Sequence, residues 1–448
     1  MELDSGEEQY QIDALLSNYR WNQTTVTYSF FEDDSGDSYY GSETGVAEVN
    51  EQIKGNVRDV LADIEQYIEL DFVEVNDSAN SYGEIRFQNS NGPAYAYAYY
   101  PTGITDLAGD IHLNPTFGSQ SLGGFSVEPG TYAYFTLIHE IGHALGLKHP
   151  GNYNGIDVDS PPFLDYADDN TTNTVMSYND PGSNPVTLMP YDIRALQALY
   201  GASVYNPGND TYNFQRVDQY EVNGELSHNS FASVKQTIWD SGGIDTFNFS
   251  GLALSSGYRI DLTEGAIITT QNAYNATPYQ PVGSNDGSIY YTTGHGTAIA
   301  FDTVIENVIG SSSNDEIIGN SANNVLQGGA GDDYLIGVDS DSAVPGFGEI
   351  DHLIGGAGRD TFVLGDSSGI YYDDGNLNST GYTDYASITD FNIFEDTIEL
   401  HGSAEDYQLR RMMGGTGILF ETPGVNEGIA LIEGVTNFSL SASYVNFV

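Results

Sequence analysis

The sequence predicts two structural units in succession, an α+β unit followed by an all-β unit built as a parallel β-roll or β-sandwich. Up to Gly201, apolar residues follow either the helical period or short strand-like runs. After Gly201, glycine, asparagine, aspartate and serine become frequent, and a nine-residue repeat begins at Gly310. We therefore expect one domain over residues 1–203 and a second over residues 204–448.

The elements of the first unit follow from apolar spacing. A long helix is expected near residues 46–70, because apolar residues recur there along one side. Short apolar or alternating runs separated by Gly, Asn and Pro predict strands at residues 72–75, 84–88, 94–99 and 109–114. A second, buried helix is indicated by the apolar residues Tyr134, Phe135, Leu137, Ile138, Ile141 and Leu145.

A metal-ligand motif lies on this buried helix, where the stretch HEIGHALGLKH begins at His139. His139 and His143 are four residues apart, so one helical face presents both imidazoles. Gly146 permits a sharp turn that would bring His149 to the same ion. Glu140 is rotated by about 100° and would lie beside the metal's open position as general base. The spacing predicts a zinc centre that activates water; the alternative is a pair of structural histidines.

A methionine in a short loop gives an independent indication. The stretch TVMSY, residues 174–178, is expected to form a turn beneath the metal with Met176 at its centre, as in the metzincin pattern. With the histidine motif, it makes the chain resemble the serralysins, secreted bacterial metzincins in which a zincin-like catalytic domain precedes an RTX calcium-binding β-roll. The resemblance continues through residues 12–21, 190–201 and 239–247 and so covers nearly the whole chain.

The resemblance implies further site residues. Tyr178, two residues after Met176, would be an additional zinc ligand that can move to stabilise the oxyanion; an ordinary buried tyrosine is the alternative. An edge strand above the zinc would pair with the substrate backbone, and residues 94–99 are the segment that we assign to it. An edge strand without this role is the alternative. The substrate-binding residues predicted on this basis are Ala94, Tyr95, Ala96 and Tyr97.

The repeat reads GSSSNDEII from Gly310, then GNSANNVLQ and GGAGDDYLI, and after looser residues GGAGRDTFV. It resembles the G-G-x-G-x-D-x-U-x repeat, whose turns offer carbonyls and whose sixth position offers a carboxylate to calcium; a flexible loop is the alternative. Asp315 should face the same side as Asp333. Residues 337–354 are either two degenerate repeats or one repeat with an insertion. The predicted ligands are Gly310, Ser312, Asp315, Asn324, Gly328, Gly329, Ala330, Gly331, Asp333, Asp351, Gly355, Gly356, Ala357, Gly358 and Asp360.

Two further calcium sites follow from the resemblance. The segment DSGGID from Asp240 matches the family's site at the entrance of the roll, although a surface turn would also explain it. Asp390 and Asp396 resemble a late calcium site. The ligands predicted at the entrance are Asn206, Gly208, Asp240, Gly242, Gly243, Asp245 and Glu306.

Composition excludes some functions. The 448 residues include 12 Lys+Arg and 64 Asp+Glu, a net charge of −52, which disfavours nucleic-acid binding and favours cations as partners. Cysteine is absent, so bound metal ions rather than disulfides are expected to cross-link and stabilise the fold. No run of eighteen apolar residues predicts a membrane span, and the acidic N-terminus lacks the pattern of a Sec signal.

The resulting prediction is a secreted, extracellular zinc endopeptidase that acts on proteins and peptides, with one catalytic zinc and several structural calcium ions. The resemblance implies export by type I secretion machinery through an uncleaved C-terminal signal. We expect a monomer without stable membrane association. The competing hypothesis is a calcium-dependent RTX binding or adhesion protein with a vestigial protease domain, but such a protein would have no reason to keep Glu140.

Overall fold

The computed structural model describes residues 5–33, 39–78, 81–116, 124–153, 159–284, 287–376, 378, 382–412 and 414–448. The first region contains helices and a mixed sheet. Its helices are α1 (Ser5–Leu15), α2 (Glu51–Tyr67), α3 (Tyr132–Ala144) and α4 (Pro190–Tyr200). Its strands are β1 (Thr25–Phe30), β2 (Asp71–Glu74), β3 (Ile85–Asn89), β4 (Ala96–Ala98) and β5 (Ile111–Leu113).

The predicted helices and strands of this region are present, with bounds that differ from the predicted ones by one to five residues. The predicted long helix is α2, which begins after Asn50 because the Asn50 side chain accepts a hydrogen bond from the Ile53 amide at 3.0 Å. The sheet has the order β2-β1-β3-β5-β4, parallel except for β4, which runs antiparallel to β5. This topology places β4 at the edge of the sheet.

Helix α3 is buried from Ala133 to Ala144 and carries the histidine motif. Its start is fixed by Thr131, whose hydroxyl accepts from the Tyr134 amide at 3.3 Å. Its end is fixed by Gly146, which has φ +107° and a Cβ position only 2.3 Å from the carbonyl oxygen of Tyr19. Only glycine fits there, so the chain turns sharply and leads directly to His149.

The second region is all β, with one short 3-10 helix at Ala404–Asp406. Its strands are β6 (Thr211–Arg216), β7 (Gln219–Val222), β8 (Glu225–Leu226), β9 (Lys235–Ile238), β10 (Thr246–Asn248), β11 (Tyr258–Asp261), β12 (Ile267–Thr270), β13 (Thr277–Tyr279), β14 (Tyr290–Thr292), β15 (Gly296–Ile299), β16 (Asn307–Ile309), β17 (Glu316–Ile318), β18 (Val325–Ala330), β19 (Tyr334–Ile336), β20 (Ile350–Ala357), β21 (Thr361–Val363), β22 (Tyr385–Ile388), β23 (Thr397–Leu400), β24 (Tyr407–Met412), β25 (Gly415–Phe420), β26 (Glu427–Glu433) and β27 (Val445–Phe447).

Two facing sheets form the roll. One has the order β24-β25-β26-β22-β20-β18-β16-β10-β6-β7-β8, and the other has the order β27-β23-β21-β19-β17-β11-β12-β15-β9. The stack from β16 to β23 is parallel, with successive strands alternating between the sheets. Apolar side chains fill the interior, among them Val308 just before the repeat and Ile317, Leu326, Leu335 and Phe362 within it. The predicted fold class is therefore confirmed.

The register decides how residues 337–354 are arranged. The Asp315 amide donates to Asp333 Oδ1 at 2.8 Å over a separation of 18 residues, so the two aspartates lie on one side of the roll, as predicted. The equivalent hydrogen bonds to the following turns, from the Asp333 amide to Asp360 and from the Asn324 amide to Asp351, each span 27 residues. Two regular repeats would have placed Asp351 on the side of Asp333. The segment is therefore one repeat enlarged by an insertion.

The described part of the chain contains two buried apolar clusters. The first joins α2, α3 and the five-stranded sheet, but it also includes later residues such as Trp239, Ile267 and Ala298. The second fills the roll between Tyr212 and Phe438. Because strands from the second region complete the first cluster, the domain boundary between residues 203 and 204 stays a prediction. None of the described helices is long and apolar enough to cross a membrane.

Candidate metal centre

Three imidazoles converge at the end of helix α3. The Nε2 atom of His149 lies 3.1 Å from that of His139 and 3.0 Å from that of His143. His139 and His143 point to this place from one face of the helix, and the turn at Gly146 brings His149 to them. The three rings are buried, with exposed fractions of 6 to 8%.

The outer nitrogen of each ring has its own partner. Nδ1 of His139 lies 2.8 Å from the Val175 carbonyl oxygen, and Nδ1 of His143 lies 2.8 Å from that of Leu147. Because a carbonyl oxygen only accepts, each neutral ring keeps its proton on Nδ1 and turns the lone pair of Nε2 inward. Lone pairs about 3 Å apart repel one another unless a cation lies between them. The donor set therefore fits a zinc ion bound by three neutral nitrogens.

His149 is held by a carboxylate instead. Asp159 Oδ2 lies 3.1 Å from His149 Nδ1 and accepts from the His149 amide at 3.1 Å, while Oδ1 accepts from the Tyr100 hydroxyl at 2.9 Å. Burial acts to raise the pKa of Asp159, but the hydrogen bonds from His149 and Tyr100 outweigh it and hold that pKa below its usual range. Asp159 was not among the site residues predicted from the sequence, although it contacts the third histidine directly.

The predicted methionine turn lies directly under the site. Met176 is fully buried, and its sulfur would be 2.7 Å from a Cβ at Gly142, so helix α3 needs glycine at this point. Asp192, at the start of α4, fixes the turn by accepting from the Thr174 hydroxyl at 2.6 Å and the Val175 amide at 2.7 Å. Asp192 was not predicted to have this role.

Glu140 lies beside the three histidines and is only 6% exposed. Its Oε2 has no hydrogen-bond partner among the described residues. Burial raises the pKa of Glu140 to about 8, and the charge of His149 acts in the opposite direction. A buried carboxylate oxygen without a partner is costly, so this geometry fits a group that faces a cation or a substrate.

Tyr178 lies at the mouth of the same cleft. Its ring centroid is 4.5 Å from that of His149, and it stacks on Tyr153 at 4.6 Å. The Tyr153 hydroxyl accepts from the Tyr178 amide at 3.1 Å and donates to Asp169 at 2.8 Å, which fixes the backbone. Tyr178 is 41% exposed and hence is not an ordinary buried tyrosine. Its role as a zinc ligand stays a prediction.

The edge strand β4 forms one wall of the cleft, to which it contributes Ala96, Tyr97 and Ala98. Among the described strands it pairs only with β5, so its other edge is open. Ala94 and Tyr95 precede the strand, and Tyr95 is 51% exposed. The predicted substrate contacts at residues 94–97 therefore lie partly outside the strand, and their role stays a prediction.

The entrance of the roll brings acidic groups together. Asp210, Asp240 and Asp245 each place one carboxylate oxygen within 4.8 Å of the other two. Glu306 joins them, because its Oε2 accepts from the Asp245 amide at 2.7 Å. Asp210 was missed, although the turn PGND before β6 could have indicated it. The other predicted entrance residues, Asn206, Gly208, Gly242 and Gly243, lie in the same two turns.

The turns of the repeat stack closely on one side of the roll. Gly331 and Gly358 have φ of +134° and +145°, and a Cβ at Gly358 would lie 1.8 Å from the Gly331 carbonyl oxygen. Asp333 Oδ2 is buried beside these turns and has no hydrogen-bond partner among the described residues. Burial, Asp315 and Asp360 raise the pKa of Asp333 to about 7. Carbonyls and unpaired carboxylate oxygens are the ligands that calcium prefers.

Other predicted calcium ligands already have protein donors. Asn324 accepts from the Asn320 amide at 2.9 Å, and Asp351 accepts from the Asn324 amide and the Tyr372 hydroxyl, each at 2.7 Å. Asp390 accepts from the amides of Gly355 and Gly356 at 3.0 and 2.9 Å. Asp396 accepts from the Asp360 amide at 3.1 Å. The calcium ligand assignments stay predictions.

Comparison with known proteins agrees with this architecture. A family model described as Matrixin matches residues 20–157, and one described as RTX calcium-binding nonapeptide repeat (4 copies) matches residues 309–339 and 345–368. Serralysin of Proteus mirabilis is 33% identical over 67% of this chain and 60% of its own length. Serralysin C of Dickeya chrysanthemi is 35% identical over 70% of this chain and 65% of its own length.

Serralysin of Photorhabdus laumondii is 32% identical over 70% of this chain and 64% of its own length. The chain thus covers less than two thirds of the length of each of these three relatives. The matrixin match together with the histidine triad confirms zinc as a cofactor, and the repeat match confirms calcium.

Proposed function

We propose that this chain, which belongs to the serralysin family, is a secreted zinc-dependent endopeptidase that hydrolyses peptide bonds of extracellular proteins. The observation that carries the proposal is the arrangement of His139, His143 and His149, whose inner nitrogens meet within 3.1 Å while their outer nitrogens are held by fixed acceptors. Next to them, Glu140 adds a buried carboxylate oxygen that has no hydrogen-bond partner among the described residues. Such a set is suited to peptide hydrolysis.

The three histidines would hold the zinc ion, which when bound polarises the scissile carbonyl and lowers the pKa of the attacking water. Glu140 would accept the water proton at Oε2, the oxygen that has no partner among the described residues, and pass it to the leaving amine. The hydroxyl of Tyr178, at the mouth of the cleft, would donate a hydrogen bond to the developing oxyanion.

The open edge of β4 supports a polypeptide as substrate. Backbone N–H and C=O groups on that edge would bind an extended peptide by strand addition, which positions the peptide without selecting one sequence. Small residues at Ala96 and Ala98 leave room above the histidines. Protein substrates with accessible extended segments are therefore the substrate class that we propose.

We further propose that the chain leaves the cell by type I secretion and acts as a monomer. The family resemblance supports export. The calcium repeats support an extracellular site of action, because calcium is abundant enough there to occupy binding sites of low affinity. The lack of cysteine is consistent with a fold that is stabilised by bound metal ions rather than by disulfides.

Glu140→Gln tests the proposed chemistry. We expect casein hydrolysis to fall by about 10²–10⁴-fold, because general base catalysis contributes that much, while zinc content stays at the wild-type level. The exposed Glu128, just before α3, provides the matched control, and Glu128→Gln should keep full activity. Substantial residual proteolysis, or loss of zinc, in Glu140→Gln would contradict the assigned role.

The alternative of a binding or adhesion protein with a vestigial protease domain makes a different prediction. Such a protein would not hydrolyse casein under any condition, whereas the proposed enzyme should lose activity when a zinc chelator is added and regain it with zinc. The buried Oε2 of Glu140, which has no hydrogen-bond partner among the described residues, disfavours the alternative. An unpaired buried oxygen destabilises the folded protein, and a protein without proteolytic activity would gain nothing from keeping it.

A further inference from the structure

A second group of carboxylates lies far along the chain, outside the nonapeptide repeat and outside the zinc centre. Asp374, Asp384 and Glu427 each place one carboxylate oxygen within 4.8 Å of the other two. Sequence spacing gives no sign of this cluster, because its members come from separate segments. The fold alone brings them together.

Strand pairing explains the convergence. Asp384 directly precedes β22, Glu427 is the first residue of β26, and these two strands are parallel neighbours in the sheet. Their starting points therefore lie side by side. Asp374 enters from the loop that leads towards β22. The cluster thus sits where the last strands of the roll join the stack of repeats.

Two members of the cluster are buried, and each has one carboxylate oxygen without a hydrogen-bond partner in the described part of the chain; the other oxygen of Asp384 accepts from the Thr383 hydroxyl at 3.2 Å. Asp384 and Glu427 are each 1% exposed, and Asp384 Oδ2 and Glu427 Oε1 have no hydrogen-bond partner among the described residues. The ion pairs seen in the described part of the chain include none with these three acids. Burial and then the charges of Asp374 and Asp384 raise the pKa of Glu427 to about 7.

We propose that Asp374, Asp384 and Glu427 form an additional divalent-cation site that binds calcium. Oxygens bound to one calcium ion at 2.3–2.6 Å are at most about 5 Å apart, which the spacing of this cluster satisfies. Three carboxylates supplied by the protein suit calcium better than magnesium, which usually keeps several of its waters. The inference is independent of the proposed function, because it needs neither zinc nor proteolysis.

The bound ion acts as a structural link. It neutralises carboxylates that would otherwise repel one another in a buried place, and it holds the start of β22 and the start of β26 to the loop at Asp374. The hairpin β24–β25 is attached to the roll through β26, so the ion secures this terminal part of the sheet. Calcium should bind here in addition to its binding at the repeats.

Counting calcium in the full-length protein tests the proposal. Equilibrium dialysis against radioactive calcium should give one ion fewer per chain in the double variant Asp384→Asn/Glu427→Gln than in the wild type. Glu421→Gln, which removes an exposed carboxylate from the same hairpin region, is the matched control and should bind the wild-type number. Zinc content and casein hydrolysis should not change, so failure of the proposed function would be seen separately.

An unchanged calcium number in the folded double variant would overturn the proposal. Folding of the variants is checked by far-UV circular dichroism. If the double variant does not fold, Asp374→Asn is the second test, since Asp374 is only half-buried and lies in a loop. Loss of one carboxylate should raise the Kd of one calcium ion by about tenfold, because the affinity of a calcium site depends on the number of charged ligands. Calcium binding identical to the wild type in Asp374→Asn would also refute the site.

Discussion

Replacing Asp159 by asparagine should weaken zinc binding although Asp159 does not touch the position of the metal. In the structure its Oδ2 lies 3.1 Å from both nitrogen donors of His149, and its Oδ1 accepts from Tyr100 at 2.9 Å. The carboxylate therefore fixes the ring of His149 and makes it a stronger ligand, because a negative partner stabilises positive charge that the ring acquires on binding a cation.

The size of the effect follows from the kind of hydrogen bond that is lost. An amide oxygen can still accept from His149, but the bond is no longer assisted by charge. Hydrogen bonds to charged groups contribute about 1.5–3 kcal/mol, and neutral ones about 0.5–1.5 kcal/mol, so the change costs about 1–2 kcal/mol. That corresponds to about a tenfold rise in the zinc Kd, within the 10–100-fold range usual for such outer partners.

The measurement is the zinc Kd, obtained by competition with a coloured chelator. Tyr100→Phe is the control, because it removes the hydrogen bond to Asp159 Oδ1 and leaves both bonds between Asp159 and His149 in place. Its zinc Kd should change less than that of Asp159→Asn. If Asp159→Asn binds zinc as tightly as the wild type, the orientation of His149 is set by its backbone alone and the reasoning fails.

Three further predictions follow from the structure. Tyr178→Phe should lower kcat for peptide hydrolysis without loss of zinc, since three histidines still hold the ion; an unchanged kcat would remove Tyr178 from the mechanism. After chelation, adding calcium to the full-length protein should raise its Tm at constant zinc content, because ions that bind only the folded roll stabilise it. If neither the Tm nor the far-UV circular dichroism of the β-structure depends on calcium, the β-roll assignment is contradicted. Burial lowers the pKa of Lys235 to about 7 from 10.5, so the unfolded chain binds its proton more tightly. The free energy of unfolding of the wild type, measured with urea, should therefore rise relative to Lys235→Met between about pH 7 and pH 10 and stay level below pH 7, and parallel pH profiles would refute this.

The zinc ligands could be predicted because their geometry is local. His139, Glu140 and His143 lie within one and a half turns of a helix, and Gly146 fixes how the chain reaches His149. The repeat could be predicted for the same reason, since glycine, aspartate and apolar residues recur every nine positions in the sequence. The insertion within residues 337–354 could not be predicted, because the sequence fits two degenerate repeats as well as one repeat with an insertion.

Asp159 and Asp192 show what local patterns cannot supply. Each acts through a neighbour that is distant in sequence or in an irregular loop: Asp159 on His149, and Asp192 on the turn at Val175. Acidic residues are so frequent in this chain that their identity alone distinguishes none of them. Only the hydrogen-bond partners seen in the folded chain separate a positioning carboxylate from a solvated one.

The same criterion divides the buried acids into two classes. The oxygens of Asp351 accept from Asn324 and Tyr372, so this carboxylate is satisfied by protein donors even though it lies in the calcium repeat. Asp333 Oδ2 and Asp384 Oδ2 are buried and have no such donor among the described residues. Because an unpaired buried oxygen is costly, cations should bind where the protein leaves oxygens unpaired rather than where the repeat motif alone would place them. Asp351, inside the repeat, should therefore contribute less to calcium binding than Asp384, outside it.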